Sequence, residues 1–160
     1  MGAVDTVIVD SSRAVAVALT VSTSPAYSSG DSIGGKITIA GLVRGNQRAG
    51  VLQSLVILDR ANQKPVGDIF LFSSDPTAAT ITDNAAFVFS TDDLKVIARI
   101  PVTSGDWSTV NSKAVCQLSG LGRVIETLGS STLYAAFVTT STPTFTATTD
   151  VQMVFGFLRD

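Results

Sequence analysis

The fold is decided by the stretch Arg13-Ala14-Val15-Ala16-Val17-Ala18-Leu19-Thr20-Val21, in which bulky apolar residues alternate with small ones. Successive side chains of a β-strand point to opposite faces, so this period of two predicts a strand. Val15, Val17, Leu19 and Val21 would share one face and pack into a core. The opposite face carries only small residues, which suits close approach by a second layer or by another subunit.

Similar alternating segments recur at short intervals and are separated by Gly, Pro, Asn and Asp, the residues that favour turns. One short helical turn is predicted over residues 90–94, where Ser90 offers a capping hydroxyl and Asp92 and Asp93 suit a first turn. This organisation predicts an all-β protein, a β-sandwich or jelly roll of eight or more strands with little helix. Beyond residues 13–21, the predicted strands are 35–40, 51–59, 66–72, 86–89, 96–102, 113–117, 123–126, 132–140 and 151–158.

The chain is predicted to consist of an N-terminal arm, residues 1–12, followed by a single β-sandwich domain, residues 13–160. We expect Val4, Val7, Ile8 and Val9 of the arm to form an interface by pairing with a neighbouring chain as an added strand. Near the other end, the Ser- and Thr-rich stretch 139–149 is predicted to be an ordered hairpin loop.

Several predicted strands are apolar on both faces, namely 51–58, 69–72 and 151–158. A strand of a two-layer sandwich has one buried face, and its other face is usually polar. These strands therefore need a second cover, which is either a loop or arm of the same chain or another subunit. The positive mean hydropathy of +0.38 favours another subunit.

The composition argues against an enzyme. The chain has no histidine, a single cysteine (Cys116) and 13 acidic residues, of which Glu126 is the only glutamate. Without histidine, neither a serine nor a cysteine triad is possible. Paired carboxylates remain the best catalytic alternative, with Asp92-Asp93 as the only adjacent pair. Most aspartates, however, occupy turn positions where they cap their own backbone, as expected for Asp75 and Asp83.

Cofactors, metals, nucleic acid and membrane are not expected as partners. No Asp-x-Asp-x-Asp-Gly spacing or phosphate-binding glycine loop occurs, and the 11 Lys and Arg residues form no basic run. No apolar run approaches the ~20 residues that a membrane-spanning helix needs. Trp107 is interpreted either as an apolar plug beneath a loop or as an interface residue that stacks on a sugar together with Tyr27 and Tyr134.

Longer stretches of the sequence are similar to a known group of proteins. The similarity runs from Tyr27-Ser28-Ser29-Gly30-Asp31 through Gly50-Val51-Leu52-Gln53-Ser54-Leu55-Val56-Ile57-Leu58-Asp59 and Leu71-Phe72-Ser73-Ser74-Asp75-Pro76 to Thr142-Pro143-Thr144-Phe145. These stretches resemble a family of small structural (virion) proteins of tailed bacteriophages. The resemblance covers most of the chain from about Tyr27 onward and contains no catalytic signature.

The resemblance implies a capsid decoration (cement) protein on the outside of the phage head. Its partners would be the major capsid protein and other copies of itself, as a homotrimer. The protein would be made in the host cytoplasm and end on the capsid surface of the virion. The alternative is a receptor- or glycan-binding module of a tail or head fibre, with Trp107, Tyr134 and the loop 139–149 forming the contact.

Overall fold

Nine strands make up most of residues 12–43 and 49–159, the part of the chain that the computed structural model describes. The strands are β1 (Ser12–Ala18), β2 (Ser32–Ile39), β3 (Ala49–Asp59), β4 (Gly67–Phe72), β5 (Val96–Val102), β6 (Trp107–Val110), β7 (Lys113–Glu126), β8 (Leu133–Thr139) and β9 (Val151–Arg159). Asp93–Lys95 and Ser104–Asp106 each form one 3₁₀ turn.

The strands form two antiparallel sheets. The five-stranded sheet has the order β1-β9-β3-β7-β6, and the four-stranded sheet has the order β2-β8-β4-β5. Apolar side chains from both sheets belong to one buried cluster, so the sheets pack face to face. Fully buried members include Leu55 and Phe155 from the first sheet and Ile69 and Phe137 from the second. The predicted all-β sandwich of eight or more strands is confirmed, and the jelly-roll connectivity stays a prediction.

Three strand predictions are wrong. Residues 86–89 are not a strand: they belong to the long β4–β5 connection and form isolated bridges, Asp31 to Ala86 and Thr80 to Val88. The segments 113–117 and 123–126 are parts of the single strand β7, which bulges at the glycines between them. Strand β6, the short partner of β7, had not been predicted.

The loop 139–149 is ordered, but it is not a hairpin loop, because it joins β8 of one sheet to β9 of the other. Pro143 and Phe145 of this loop are buried, and Phe145 packs edge-on against Tyr27 with 5.5 Å between ring centroids. The predicted helical turn exists as Asp93–Lys95, although its N-cap residue, Asp92, makes no side-chain capping bond. Ser12 already belongs to β1, one residue before the predicted start of the sandwich.

Candidate functional site: an uncharged sheet face

Carboxylates that accept several hydrogen bonds hold loops together, and the half-buried Asp83 is the first example. Asp83 accepts hydrogen bonds from the Tyr27 hydroxyl at 2.5 Å, the Ser22 hydroxyl at 2.5 Å and the Gly34 amide at 2.6 Å. The three donors lie 49 to 61 residues away in the sequence. The expectation that Asp83 caps its own backbone is therefore wrong: its carboxylate joins the β1–β2 loop and β2 to the β4–β5 connection.

Asp75 is also engaged at long range, since its carboxylate pairs with the Lys36 ammonium at 2.6 Å. Asp59 and Asp150, in contrast, act as local caps. The Asp59 side chain accepts from the amides of Ala61 and Lys64, and Asp150 accepts from both the amide and the hydroxyl of Thr146. Local capping is thus wrong for Asp75 and right for this second pair.

Asp92 and Asp93 do not form a joint acidic site. The Asp92 carboxylate is buried and accepts from the amides of Ala78 and Ala79, and it also pairs with the Lys95 ammonium. The ammonium is the largest influence on this carboxyl and, with the two amides, lowers its pKa. Asp93 is exposed and bonds to the amide of the next residue. The adjacent pair therefore shares no proton and faces no common cleft.

The residues expected to bind a glycan are not brought together, and Tyr27 is wrong as a sugar-stacking residue because its ring is buried. Trp107 is only 8 % exposed, points into the core and donates its indole N–H to the Pro65 carbonyl at 3.2 Å. This burial favours the apolar-plug interpretation over an interface role. Tyr134 lies on the outer side of the other sheet, with the Lys36 ammonium 5.7 Å above its ring centre. Val4, Val7, Ile8 and Val9, the other expected interface residues, lie outside the described residues.

Cys116 is fully buried on the inner face of β7. Burial, with a smaller contribution from the charge of Asp106, raises the pKa of its thiol to about 12. A thiol in this setting is protonated at neutral pH and is a poor nucleophile. Within residues 12–43 and 49–159, no group of three or more acidic or thiol side chains could hold a metal ion.

The outer side of the four-stranded sheet is covered in part by the chain itself. Phe70 projects from β4 and contacts Phe87 and Phe89 of the β4–β5 connection, with ring centroids 5.7 Å and 5.3 Å away. These three phenylalanines are here called the aromatic cluster. For β4, the preferred prediction of cover by another subunit is therefore wrong, because a loop of the same chain provides the cover.

The outer side of the five-stranded sheet has a different character. Directly paired residues on adjacent strands share a face, so the strand register gives four rows of outward side chains. We call this surface the uncharged face, because its rows contain only Ala, Val, Leu, Gly, Ser and Gln. The rows are Ser12–Leu158–Val51–Val124, Ala14–Gly156–Ser54–Ser119, Ala16–Val154–Val56–Gln117 and Ala18–Gln152–Leu58–Val115–Ser108.

The relief of the uncharged face centres on Leu158, which is 44 % exposed. A hollow of about 330 Å³ lies on one side of it, beside the small residues Ala14, Ser54 and Gly156, and Arg13 also lines it. A second hollow of about 320 Å³ lies on the other side, beside Val51 and Val124, and Arg159 also lines it. Val124 itself is 71 % exposed. The face thus presents a ridge between two depressions.

Sequence reasoning identified the small-residue side of β1 and the strands that are apolar on both faces, but it did not predict that they lie side by side in one sheet. Period two shows which residues point outward, yet it does not show which strands are neighbours. The pairing of Ala14 with Gly156 joins the two ends of the described chain. The local sequence of neither segment predicts that pairing.

No helix in the described part of the chain is long and apolar enough to cross a membrane. Comparison of the chain with protein-family models, curated proteins and solved structures gives no match.

Proposed function

We propose that this protein is a structural component of a phage virion, a capsid decoration (cement) protein that binds the outside of the head. The observation that carries the proposal is the uncharged face, a broad surface of small and apolar side chains on one side of the sandwich. Apolar contacts persist at ionic strengths that screen exposed charges. The resemblance to small structural proteins of tailed phages supplies the setting.

The mechanism would be mechanical. A protein that binds the assembled shell but not its separated parts stabilises the shell by mass action, by about 2.7 kcal/mol per site at a free concentration of 100 times Kd. The major capsid protein would be the partner, and the decoration protein would act in several copies, as the homotrimer that the resemblance implies. Such a role needs a rigid scaffold. The long-range bonds of Asp83 support it, because they fix the loops to the sheets.

The hydrogen bonds already made by the Asp83 and Asp92 carboxylates support a binding role over hydrolysis. Both oxygens of Asp83 and of Asp92 accept bonds from protein donors. A carboxylate acting as a general acid or base has to reach a substrate proton. The glycan-binding alternative gains no support, since Trp107 is buried in the core while Tyr134 lies on the outer side of the four-stranded sheet.

The proposal is tested on virions of the phage that encodes the chain. Heads and tails are separated after disruption, and the protein is quantified in each fraction by mass spectrometry. We expect it in the head fraction, in a fixed ratio to the major capsid protein. Heads stripped of the protein should rebind it and resist heating better once it is bound. Recovery in the tail fraction, or absence from the particle, would refute the head-decoration proposal, and specific signals on a glycan array would favour the fibre alternative.

A further inference from the structure

We propose that the free edge of β1 is the site at which copies of this chain join, because residues 4–10 of one copy add as a strand to the β1 edge of the next copy. The inference goes beyond the proposed head-binding role. It concerns the edge of one strand and leaves the uncharged face open to the shell.

The first argument compares the four strands that end the two sheets, which are β1, β6, β2 and β5. A free strand edge pairs with other chains unless short length, proline, a bulge or a covering loop prevents it. Strand β6 has only four residues, and β5 contains Pro101, which has no amide hydrogen. The β4–β5 connection covers the start of β2 through a bridge between Ser32 and Asp83, and β2 then bulges between Ile33 and Ile37.

The edge of β1 has none of these protections within the described residues. Its seven residues, Ser12–Ala18, include no proline and no glycine, and Arg13 at the start is the only charged one. The strand pairs with β9 alone and without a register shift. It is therefore a long, regular and almost uncharged edge, the kind that accepts an added strand.

The backbone of β1 presents hydrogen-bonding groups at this edge. Just beyond β1, the Leu19 amide donates to the Val151 carbonyl on the β9 side at 2.9 Å. Amides of an antiparallel strand point alternately to its two sides. The amides of Ala14, Ala16 and Ala18 therefore point away from β9, toward the free edge.

The second argument is that the core is incompletely covered beside β1. Val15 and Val17 pack against the core but are only half-buried. Their neighbours on β9, Phe155 and Met153, are fully buried. A strand with apolar side chains along the free side of β1 would cover both valines.

The third argument identifies the donor. Residues 4–10 read Val-Asp-Thr-Val-Ile-Val-Asp, and most of them favour strands. This segment has seven residues, as β1 does, so each spans roughly 24 Å at about 3.4 Å per residue. Added in parallel it would place Asp5 near Arg13, and added antiparallel it would place Asp10 there. Either direction therefore pairs opposite charges at one end of an apolar contact.

The donor comes from another copy because the local sequence disfavours a hairpin back onto β1. A two-residue hairpin turn needs residues that accept positive φ, such as Asn-Gly or Asp-Gly. The residues between the segment and β1 are Asp10 and Ser11, without glycine or asparagine. A contact in which each copy gives one strand and receives another is head-to-tail, and such contacts close into rings.

The test is sedimentation velocity of the full chain between roughly 1 and 200 µM, a range that brackets a micromolar dissociation constant. We expect wild type to reach three times 16.6 kDa, the mass of a ring of three copies. The double variant Val7→Asp/Ile8→Asp places a carboxylate on both faces of the added strand and changes no residue of the sandwich. It should weaken association at least tenfold. A wild-type chain that stays monomeric, or a double variant that associates like wild type, overturns the proposal.

A second pair of variants tests the acceptor edge. Ala16→Pro removes an amide hydrogen that points to the free edge and leaves the β1–β9 hydrogen bonds in place. Ala16→Val is the matched control, since it enlarges the same side chain and keeps the amide. We expect Ala16→Pro to weaken association at least tenfold and Ala16→Val to associate like wild type. Equal association by the two variants would overturn the assignment of the β1 edge.

A labelled peptide gives a readout that does not depend on the folding of the proline variant. A fluorescent peptide of residues 1–11 should bind the Val7→Asp/Ile8→Asp chain, whose β1 edge is open. The same peptide carrying both aspartates is the control and should not bind. Equal signals from the two peptides would contradict strand addition.

The outcome is separable from that of the proposed function. Association through residues 4–10 in a protein that is absent from virions would support this inference and refute the decoration role. A monomeric wild-type chain that binds heads would support the decoration role and refute this inference.

Discussion

Replacement of Tyr27 by phenylalanine tests whether the Asp83 network holds the β1–β2 loop to the rest of the sandwich. The Tyr27 ring is 1 % exposed, and its hydroxyl donates to Asp83 Oδ1 at 2.5 Å while accepting from the Ser22 amide at 2.9 Å. Phenylalanine keeps the edge-on contact with Phe145 and removes both hydrogen bonds. The perturbation is therefore confined to one oxygen atom.

The expected loss follows from the type of bond removed. A hydrogen bond to a charged acceptor contributes about 1.5–3 kcal/mol to stability, and the Ser22 amide also loses its acceptor. We expect Tyr27→Phe to lower the free energy of unfolding by about 2–3 kcal/mol at pH 7. At about 2–4 °C per kcal/mol for a chain of this size, Tm should fall by roughly 5–10 °C. Urea and thermal unfolding followed by circular dichroism measure both quantities.

Tyr134→Phe is the matched control. Its ring is half-buried, and its hydroxyl makes no hydrogen bond to a protein group within residues 12–43 and 49–159. We expect it to change stability by less than about 0.5 kcal/mol, the usual range for surface substitutions. If the two variants lose equal stability, or if Tyr27→Phe loses less than about 0.5 kcal/mol, the network does not anchor the loop.

The pH dependence gives an independent check on the same residue. Burial, followed by the hydrogen bond to Asp83, raises the pKa of the Tyr27 phenol above its ordinary value of 10.0. The stabilisation from this protonated phenol is complete below the unfolded-state pKa and is lost as pH rises above it. The stability difference between wild type and Tyr27→Phe should therefore be constant up to about pH 9.5 and shrink above about pH 10. A difference that widens at high pH would contradict this assignment.

Three further predictions concern other parts of the sandwich. A Cβ at Gly67 would lie 2.0 Å from a backbone oxygen of β8, so Gly67→Ala should lower the free energy of unfolding by about 3 kcal/mol, measured by urea unfolding. Gly105→Ala is the control, because its Cβ would meet nothing closer than 3.8 Å, and it should leave the stability unchanged. Because burial raises the pKa of the Cys116 thiol to about 12, a thiol reagent at pH 8 should label it only at the rate of global unfolding, and rapid labelling would contradict its burial. The Lys95 ammonium lowers the pKa of the Asp92 carboxyl. The stability that this carboxylate contributes is therefore present above its ordinary pKa of 3.8 and is lost as pH falls. Asp92→Asn should make stability depend less on pH at the acid end, and an unchanged acid dependence would refute the assignment.

The fold class was predictable because period two survives in most strands. The bounds of β5 match the prediction at both ends. Two of the failures come from predicting separate strands at 113–117 and 123–126, on either side of two glycines. Gly120 and Gly122 have φ values of 64° and 59°, which glycine adopts readily, but they form a bulge within β7 rather than a turn between two strands. A local rule identifies the unusual backbone conformation without showing whether the strand continues beyond it.

The candidate site was predictable only in its parts. The small side chains of β1 and the outward residues of β3 and β9 were evident from alternation. These residues form four continuous rows because β9 lies between β1 and β3. That strand order is determined by the packing of the whole sandwich and not by the local sequence. The Asp83 contacts were not foreseen for a related reason. An aspartate that caps its own turn and one that bonds to a loop 61 residues away look alike in sequence.

The double-faced strands show how one sequence signal can have two structural solutions. On the four-stranded sheet, the outward Phe70 is a large aromatic group, and the chain covers it with Phe87 and Phe89. On the five-stranded sheet, the outward residues are smaller, and no loop within the described residues covers their centre. The summed area of the rows favours burial against another molecule, and this is the physical reason for placing the binding surface of the proposed decoration protein on that side.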